Sequence, residues 1–193
     1  RRRGPVKTGR WHTRVRNAPE VLGQAPLSCL AEEIATPGEG RTRALIVMAG
    51  NPVLSAPDAG RLEEALPMLD AMISVDNWLN ETSRHAHVIL PGLSQLEQPH
   101  MDEAIWNFAV RSAARWSPAI FPRDDRPHEW QILITLGAIL AGVPASEVDV
   151  AAFDDILFAE RAARHGVVAA DIIDKTTFRG PDRIADLTVV LGV

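Results

Sequence analysis

The clearest hydrophobic patterning begins at residue 44. "ALIVMA" (44–49) is apolar at every position, as expected for a parallel strand covered on both faces. The period then changes: Leu62, Ala65, Leu66 and Leu69 fall at i, i+3, i+4 and i+7, which predicts a helix from Asp58 to Leu69, with Pro67 kinking or breaking its last turn. "AMISVD" (71–76) predicts a second strand, "NWLNETSRHA" (77–86) a short polar connection, and "HVILP" (87–91) a third strand. Strand, helix, strand, connection, strand is the order of an α/β domain.

Beyond Pro91 the pattern loosens. "LSQLEQPHMDEA" (93–104) reads as an exposed loop and "IWNFAVRSA" (105–113) as a strand, antiparallel or at an edge. "DDRPHEWQILITLGAILAG" (124–142) predicts a helix with acids at its start, Pro127 in the first turn and Gly142 at its end. "VDVAAFDDILFAERAARHG" (148–166) predicts another, closed by basic residues and Gly166. The last 25 residues read as helical, with "LTVVL" (187–191) as an alternative strand. Residues 1–40 read as irregular, punctuated by Pro5, Pro19, Pro26 and Pro37, except for two helical turns in "LSCLAEEIA" (27–35) capped by Ser28.

The fold class expected is therefore α/β: a three-layer domain with a mostly parallel sheet flanked by helices, plus a helical C-terminal extension. Its expected divisions are a linking segment over 1–40, an α/β domain over 41–122, and a helical continuation of that domain over 123–193.

Composition narrows the function classes. At 193 residues with 46% hydrophobic and 23% charged residues, the chain can bury a substantial core. No run approaches the length of a membrane span, and no apolar stretch follows the basic N-terminus as a signal peptide requires. Cys29 is the single cysteine, which excludes an internal disulfide and any all-cysteine iron–sulfur or zinc site within this stretch. A cytoplasmic setting is compatible with that. Residues 1–16 carry seven basic residues and no acid, against 13 basic and 25 acidic residues in the remainder. Such a run serves either as a nucleic-acid arm or, the favoured reading, as a loop packed on acidic surface of a longer parent chain.

The candidate chemistry lies where the strands end. In an open α/β sheet, ligands bind beyond the carboxyl ends of the strands. "GNPVLS" (50–55) follows the first strand: Gly50 permits close approach to the backbone, Asn51 offers donors and an acceptor, Ser55 a hydroxyl, and Pro52 stiffens the exit. The same residues also suit a tight turn with a local Asx bond, and they form neither a G-x-G-x-x-G fingerprint nor a P-loop. Asp76 ends the second strand and should emerge on the same edge, either to accept N–H groups of a ligand or to cap the next segment. His85 and His87 would share a face if both lay on a strand, but no third metal ligand is near in sequence. "EQPHMDE" (97–103) gathers carboxylates around His100 and reads as a solvated loop rather than an acid–base centre.

Taken together, "AGNP" (49–52), "LD" (69–70), "VD" (75–76), "ET" (81–82) and "HAHVILP" (85–91) resemble, in order and spacing, the third domain of the molybdopterin-dependent oxidoreductases. That superfamily contains formate dehydrogenases, nitrate reductases and dimethyl sulfoxide reductases, and the formate dehydrogenase flavour is nearest. The resemblance implies a domain that grips one guanosine end of a bis-molybdopterin guanine dinucleotide carrying molybdenum. Gly50, Asn51, Pro52 and Ser55 would line the nucleotide loop, and Val75 and Asp76 would meet the guanine or ribose. It also implies an iron–sulfur cluster and a metal ligand in other parts of the parent, so the chain alone would not be catalytic. The partners implied are the remainder of the large subunit, a small-molecule substrate and an electron-transfer subunit, with no nucleic acid and no membrane span. Two features depart from the family pattern: His87 replaces an Asp, and "LSQLEQPHMDEAIW" (93–106) replaces a Trp- and Asn-containing loop of which only Glu97 matches. The rival readings are the molybdenum-free iron–sulfur large subunit of NADH–quinone oxidoreductase, which keeps the fold, and an unrelated nucleotide-binding α/β module.

Overall fold

The structure, a computed structural model, describes residues 8–102, 110, 115–164 and 166–172. The chain folds as two compact units, Arg1–Pro91 and Gly92–Val193. Among the predicted elements, "IWNFAVRSA" (apart from Val110) and residues 173–193 lie outside the described residues.

In the first unit, β1 (Ala44–Met48), β2 (Ala71–Val75) and β3 (Val88–Ile89) form a parallel sheet in the order β1-β2-β3. β1 pairs with β2 in register from Ala44 against Ala71 to Met48 against Val75, and Ile73 and Ser74 pair with Val88 and Ile89. Register partners in a parallel ladder share a face, so Leu45 and Val47 lie on the same side as Met72. That side closes on α1 (Leu30–Ala35) and α3 (Ala59–Ala65). Ile34, Val53, Leu62, Leu66 and Met72 meet there as one buried cluster. Full burial of a leucine such as Leu62 or Leu66 contributes about 2 kcal/mol.

The predicted helix 58–69 is realised in two parts. α3 ends at Ala65 and continues as a 3-10 turn over Leu66–Met68, because Pro67 has no N–H with which to extend the α-helical ladder. Ser28 does not cap α1: it sits inside a 3-10 turn, Leu27–Cys29, which leads directly into the helix. Three cations of the basic N-terminal run lie among the described residues, and Arg10, Arg14 and Arg16 each find an acid within this chain. Arg16 makes a two-pronged contact with Glu32 at 2.9 and 3.0 Å, and Arg14 reaches Glu33 and the carbonyl of Thr36. Arg10 donates to Glu20 from its backbone and from its guanidinium, and Gly23 donates its N–H to the same carboxylate. Glu20 is fully buried, and these partners hold its carboxyl at about 2, the Arg10 side chain contributing most.

The second unit holds the antiparallel pair β4 (His100–Asp102) and β5 (Arg115–Ser117), followed by α4 (Glu129–Leu140) and α5 (Val150–Arg164). α4 starts later than its sequence suggests. Asp124 folds a turn by accepting the N–H and guanidinium of Arg126, and Pro127 then lies ahead of the cap rather than in the first turn. His128 is the N-cap, its backbone N–H bonded to the Gln131 side chain. Gly142, at φ +92°, ends the helix, with N–H groups of Gly142 and Val143 returning to Ile139 and Ala138. Asp149 caps α5 through the Ala152 N–H. Phe158, Ala162 and Ile172 form the small core around it.

The segment after Pro91 is less exposed than expected: Gly92 and Leu93 are buried, and residues from His100 onward enter β4. Arg126 accounts for its order. Its guanidinium donates to Glu97 at 2.6 Å, to the Gly92 carbonyl at 3.1 Å and to Asp124 at 2.7 Å. The Ser94 N–H, with Arg126 adding its charge, holds the Glu97 carboxyl below the usual glutamate range.

Candidate functional site

β1 and β2 deliver their polar end residues to one edge of the sheet. The Ala49 N–H donates to the Val75 carbonyl at 2.9 Å, so the pairing persists one residue past β1. Ala49 does this at φ +45°, in the left-handed region that costs a residue with a Cβ about 1 kcal/mol. The chain then turns through Gly50 into a short helix, α2 (Pro52–Ser55), with Pro52 at the first helical position, where a missing N–H does no harm. The Asn51 carbonyl accepts the N–H groups of Leu54 and Ser55 and also the Ser55 hydroxyl at 3.0 Å.

The Asn51 side chain reaches across to the segment following β2. Its Nδ2 donates to Glu81 Oε2 at 2.6 Å, and its Oδ1 accepts the Thr82 hydroxyl at 2.8 Å. The same Thr82 oxygen accepts the Val53 N–H at 3.0 Å, at the start of α2. Thr82 is fully buried. The Glu81 carboxyl is held below the usual range, chiefly by the Asn51 amide.

Asp76, one residue past β2, organises its own loop. Oδ1 accepts the Trp78 N–H at 2.9 Å, and Oδ2 accepts the Asn80 side-chain amide at 3.0 Å. Asn80 Oδ1 in turn accepts the N–H groups of Thr82 and Ser83, and the Ser83 hydroxyl donates to the Trp78 carbonyl. The capping reading of Asp76 is thus realised. A carboxylate has roughly four lone-pair positions, and the hydrogen bonds among the described residues use two of those of Asp76.

Six residues were candidates from the sequence. Gly50, Asn51, Pro52 and Ser55 follow β1, Val75 closes β2, and Asp76 follows it, so all six sit at the carboxyl edge of this strand pair. Val75 is buried and takes part through its backbone carbonyl. Among the described residues Gly50 has no steric reason: its φ lies outside the left-handed region, and an added Cβ would meet only ordinary contacts at 3.5 Å and beyond. A cradle of that kind, beside a strained strand end and the Asp76 carboxylate, suits a group that approaches the backbone closely. Sequence reading noted Glu81 and Thr82 as a motif but did not find their bonds to Asn51; an acid followed by a hydroxyl after a strand-end Asp was the available signal.

The histidine pair is not arranged on a strand. His85 ends a 3-10 turn (Ser83–His85), with Nε2 3.8 Å from Glu63, whereas His87 Nδ1 accepts the Met72 N–H. Among the described residues, no group of three or more His, Cys, Asp or Glu side chains could hold a metal ion.

A sequence model described as molybdopterin oxidoreductase matches residues 9–138, two thirds of the chain and the whole of this edge. The chain belongs to the molybdopterin oxidoreductase family. Membership implies a molybdopterin cofactor and places the chain among oxidoreductases. It is 32% identical over 103 residues to the assimilatory nitrate reductase catalytic subunit of Bacillus subtilis, covering 53% of this chain and 14% of that one. It is 39% identical over 104 residues to F420-dependent formate dehydrogenase 1 subunit alpha of Methanococcus maripaludis, covering 54% and 15%. A longer alignment, 166 residues at 26% identity, joins it to the menaquinone reductase, molybdopterin-binding-like subunit of Nitratidesulfovibrio vulgaris, covering 82% and 22%. The chain therefore spans 14–22% of the length of these relatives. Among the described residues, no helix of this family member is long and apolar enough to cross a membrane.

Proposed function

We propose that this chain is the part of a larger molybdopterin oxidoreductase subunit that holds one guanosine end of a bis-molybdopterin guanine dinucleotide. The observation that carries the reading is the shared edge: Asn51 and Asp76 follow adjacent parallel strands whose last residues, Met48 and Val75, are register partners. Asp76 would accept the N–H groups of the base edge, and Gly50 would let a phosphate or ribose approach the backbone. The Ser55 hydroxyl and the second N–H of the Asn51 amide would supply further polar contacts. Bound molybdenum would supply the redox centre for two-electron conversion of a small molecule, its protein ligand coming from elsewhere in the subunit. With Cys29 as the only cysteine, an iron–sulfur cluster would also be held elsewhere, and electrons would leave through a partner subunit. The single buried, free thiol accords with a cytoplasmic setting.

The test is to purify the full-length subunit with Asn51→Ala or Asp76→Ala and measure molybdenum and acid-released GMP per protein. Both should fall several-fold in each variant. Full loading in both overturns the assignment of this edge.

One observation favours a second reading. Both ends of the Asn51 amide and both oxygens of Asp76 already have partners inside the chain, as an edge retained for structure alone would show. In that case the parent would be a molybdenum-free electron-carrying relative, and wild-type subunit would carry neither molybdenum nor GMP.

A further inference from the structure

Trp78 is the most exposed aromatic side chain among the described residues, at 78%, although its backbone is fixed on both sides. Its N–H donates to Asp76 Oδ1 and its carbonyl accepts the buried Ser83 hydroxyl at 3.0 Å. The residues around it are tied equally well, Asn80 bonding back to Asp76 and forward to Thr82 and Ser83. An indole left in water at the end of a mobile loop would need no explanation. The backbone of this one is held by the carboxylate that follows β2, and Leu79 beside it is 75% exposed. Leu54, on α2 after the neighbouring strand end, is exposed as well.

We infer that Trp78 is a binding residue of this edge, the flat apolar platform against which a purine base stacks while Asp76 takes the N–H groups of that base. This rests on the guanosine-binding reading above and adds to it a specificity element: the site would choose an aromatic heterocycle by its face as well as by its edge. Stacking needs a π-face, so an aromatic replacement preserves it and an aliphatic one of similar bulk does not. The fixed backbone places the root of the side chain before the ligand arrives, so only the side-chain torsions are left to order on binding.

The experiment compares wild-type full-length subunit with Trp78→Phe and Trp78→Leu, reading GMP retained per protein during prolonged dialysis, with thermal unfolding as a check on folding. Loss of a base–aromatic stack weakens binding by roughly tenfold to a hundredfold. Trp78→Leu should therefore lose GMP at least about tenfold faster, while Trp78→Phe stays within a few-fold of wild type and all three unfold at the same temperature. Retention by Trp78→Leu equal to wild type overturns the platform and leaves the guanosine reading standing. Equal, faster loss from both variants also overturns it, since bulk rather than aromaticity would then be the requirement. Wild-type protein that carries no GMP at all overturns the guanosine reading and the platform with it.

Discussion

Asn51 and Glu81 stand 30 positions apart and meet at 2.6 Å, amide to carboxylate. An ionised carboxylate only accepts, so the Asn51 NH2 must face Glu81 and its oxygen must face Thr82. The chain itself thereby fixes which way the amide points, and it ties the loop after β1 to the loop after β2. Any ligand resting on both loops meets an edge already assembled.

The first prediction follows from that orientation. Asn51→Asp would place a second carboxylate against Glu81, and two like charges at such a distance cannot both ionise without cost. The variant should be destabilised at pH 7 and should recover as the pH is lowered into the range where the pair keeps one proton. Adding Glu81→Gln should restore stability at neutral pH, because a glutamine can donate to the new carboxylate. Urea denaturation of the four proteins across pH 5–8 checks this; additive effects of the two substitutions would exclude a direct pair.

Thr82 tests the same lock from its other side. Its hydroxyl accepts the Val53 N–H in buried surroundings and donates to the partly buried Asn51 Oδ1. Thr82→Val keeps the shape and removes both bonds, leaving a buried N–H without a partner, at an expected cost of about 2 kcal/mol. Thr82→Ser keeps the hydroxyl and loses one methyl, at about 1 kcal/mol. Equal losses in the two variants, measured by denaturant unfolding, would mean that Thr82 matters for volume alone.

The parallel sheet and the positions of its polar ends are legible in the sequence because they depend on local signals. Apolar runs reveal β1 and β2, and a Gly-Asn-Pro step or a terminal Asp marks where each strand stops. What could not be read are the pairings between distant polar side chains. Nothing in the local pattern says that Glu81 turns back to Asn51, that Arg126 gathers the loop from Gly92 to Glu97, or that Glu32 and Glu33 receive Arg16 and Arg14. The late start of α4 escaped for a related reason: the Asp124–Arg126 turn competes with the helix for the same residues, and periodicity does not weigh that contest.

Glu20 predicts a pH dependence. Its folded value of about 2 lies below the ordinary 4.5, so the folded state holds fewer protons than the unfolded one between those values. The stabilisation is fully present above about 4.5 and is lost as the pH falls towards 2. Glu20→Gln should be less stable than wild type at pH 6, since a neutral amide is a poorer acceptor for Arg10 and Gly23. It should also lose part of the decline in stability between pH 5 and pH 2. Melting curves in steps of half a pH unit decide this: parallel declines in the two proteins would place the acid sensitivity in other carboxylates.

Ser74 carries a prediction of the opposite sign. It lies in the middle strand of the sheet, fully buried, paired in register with Val47 on one side and Ile89 on the other. Its hydroxyl has no hydrogen-bond partner among the described residues. An unpaired buried hydroxyl costs about 1–3 kcal/mol relative to one that is satisfied. Alanine removes that oxygen and leaves a small void in its place, so the two effects oppose one another. The desolvation penalty is the larger, and Ser74→Ala should be more stable than wild type by up to about 1 kcal/mol. Because Ser74 lies inside the sheet rather than on the edge beyond it, molybdenum and GMP content of the full-length subunit should not change. Denaturant unfolding gives the sign directly: a loss of stability in Ser74→Ala would mean that the hydroxyl has a partner, such as a buried water.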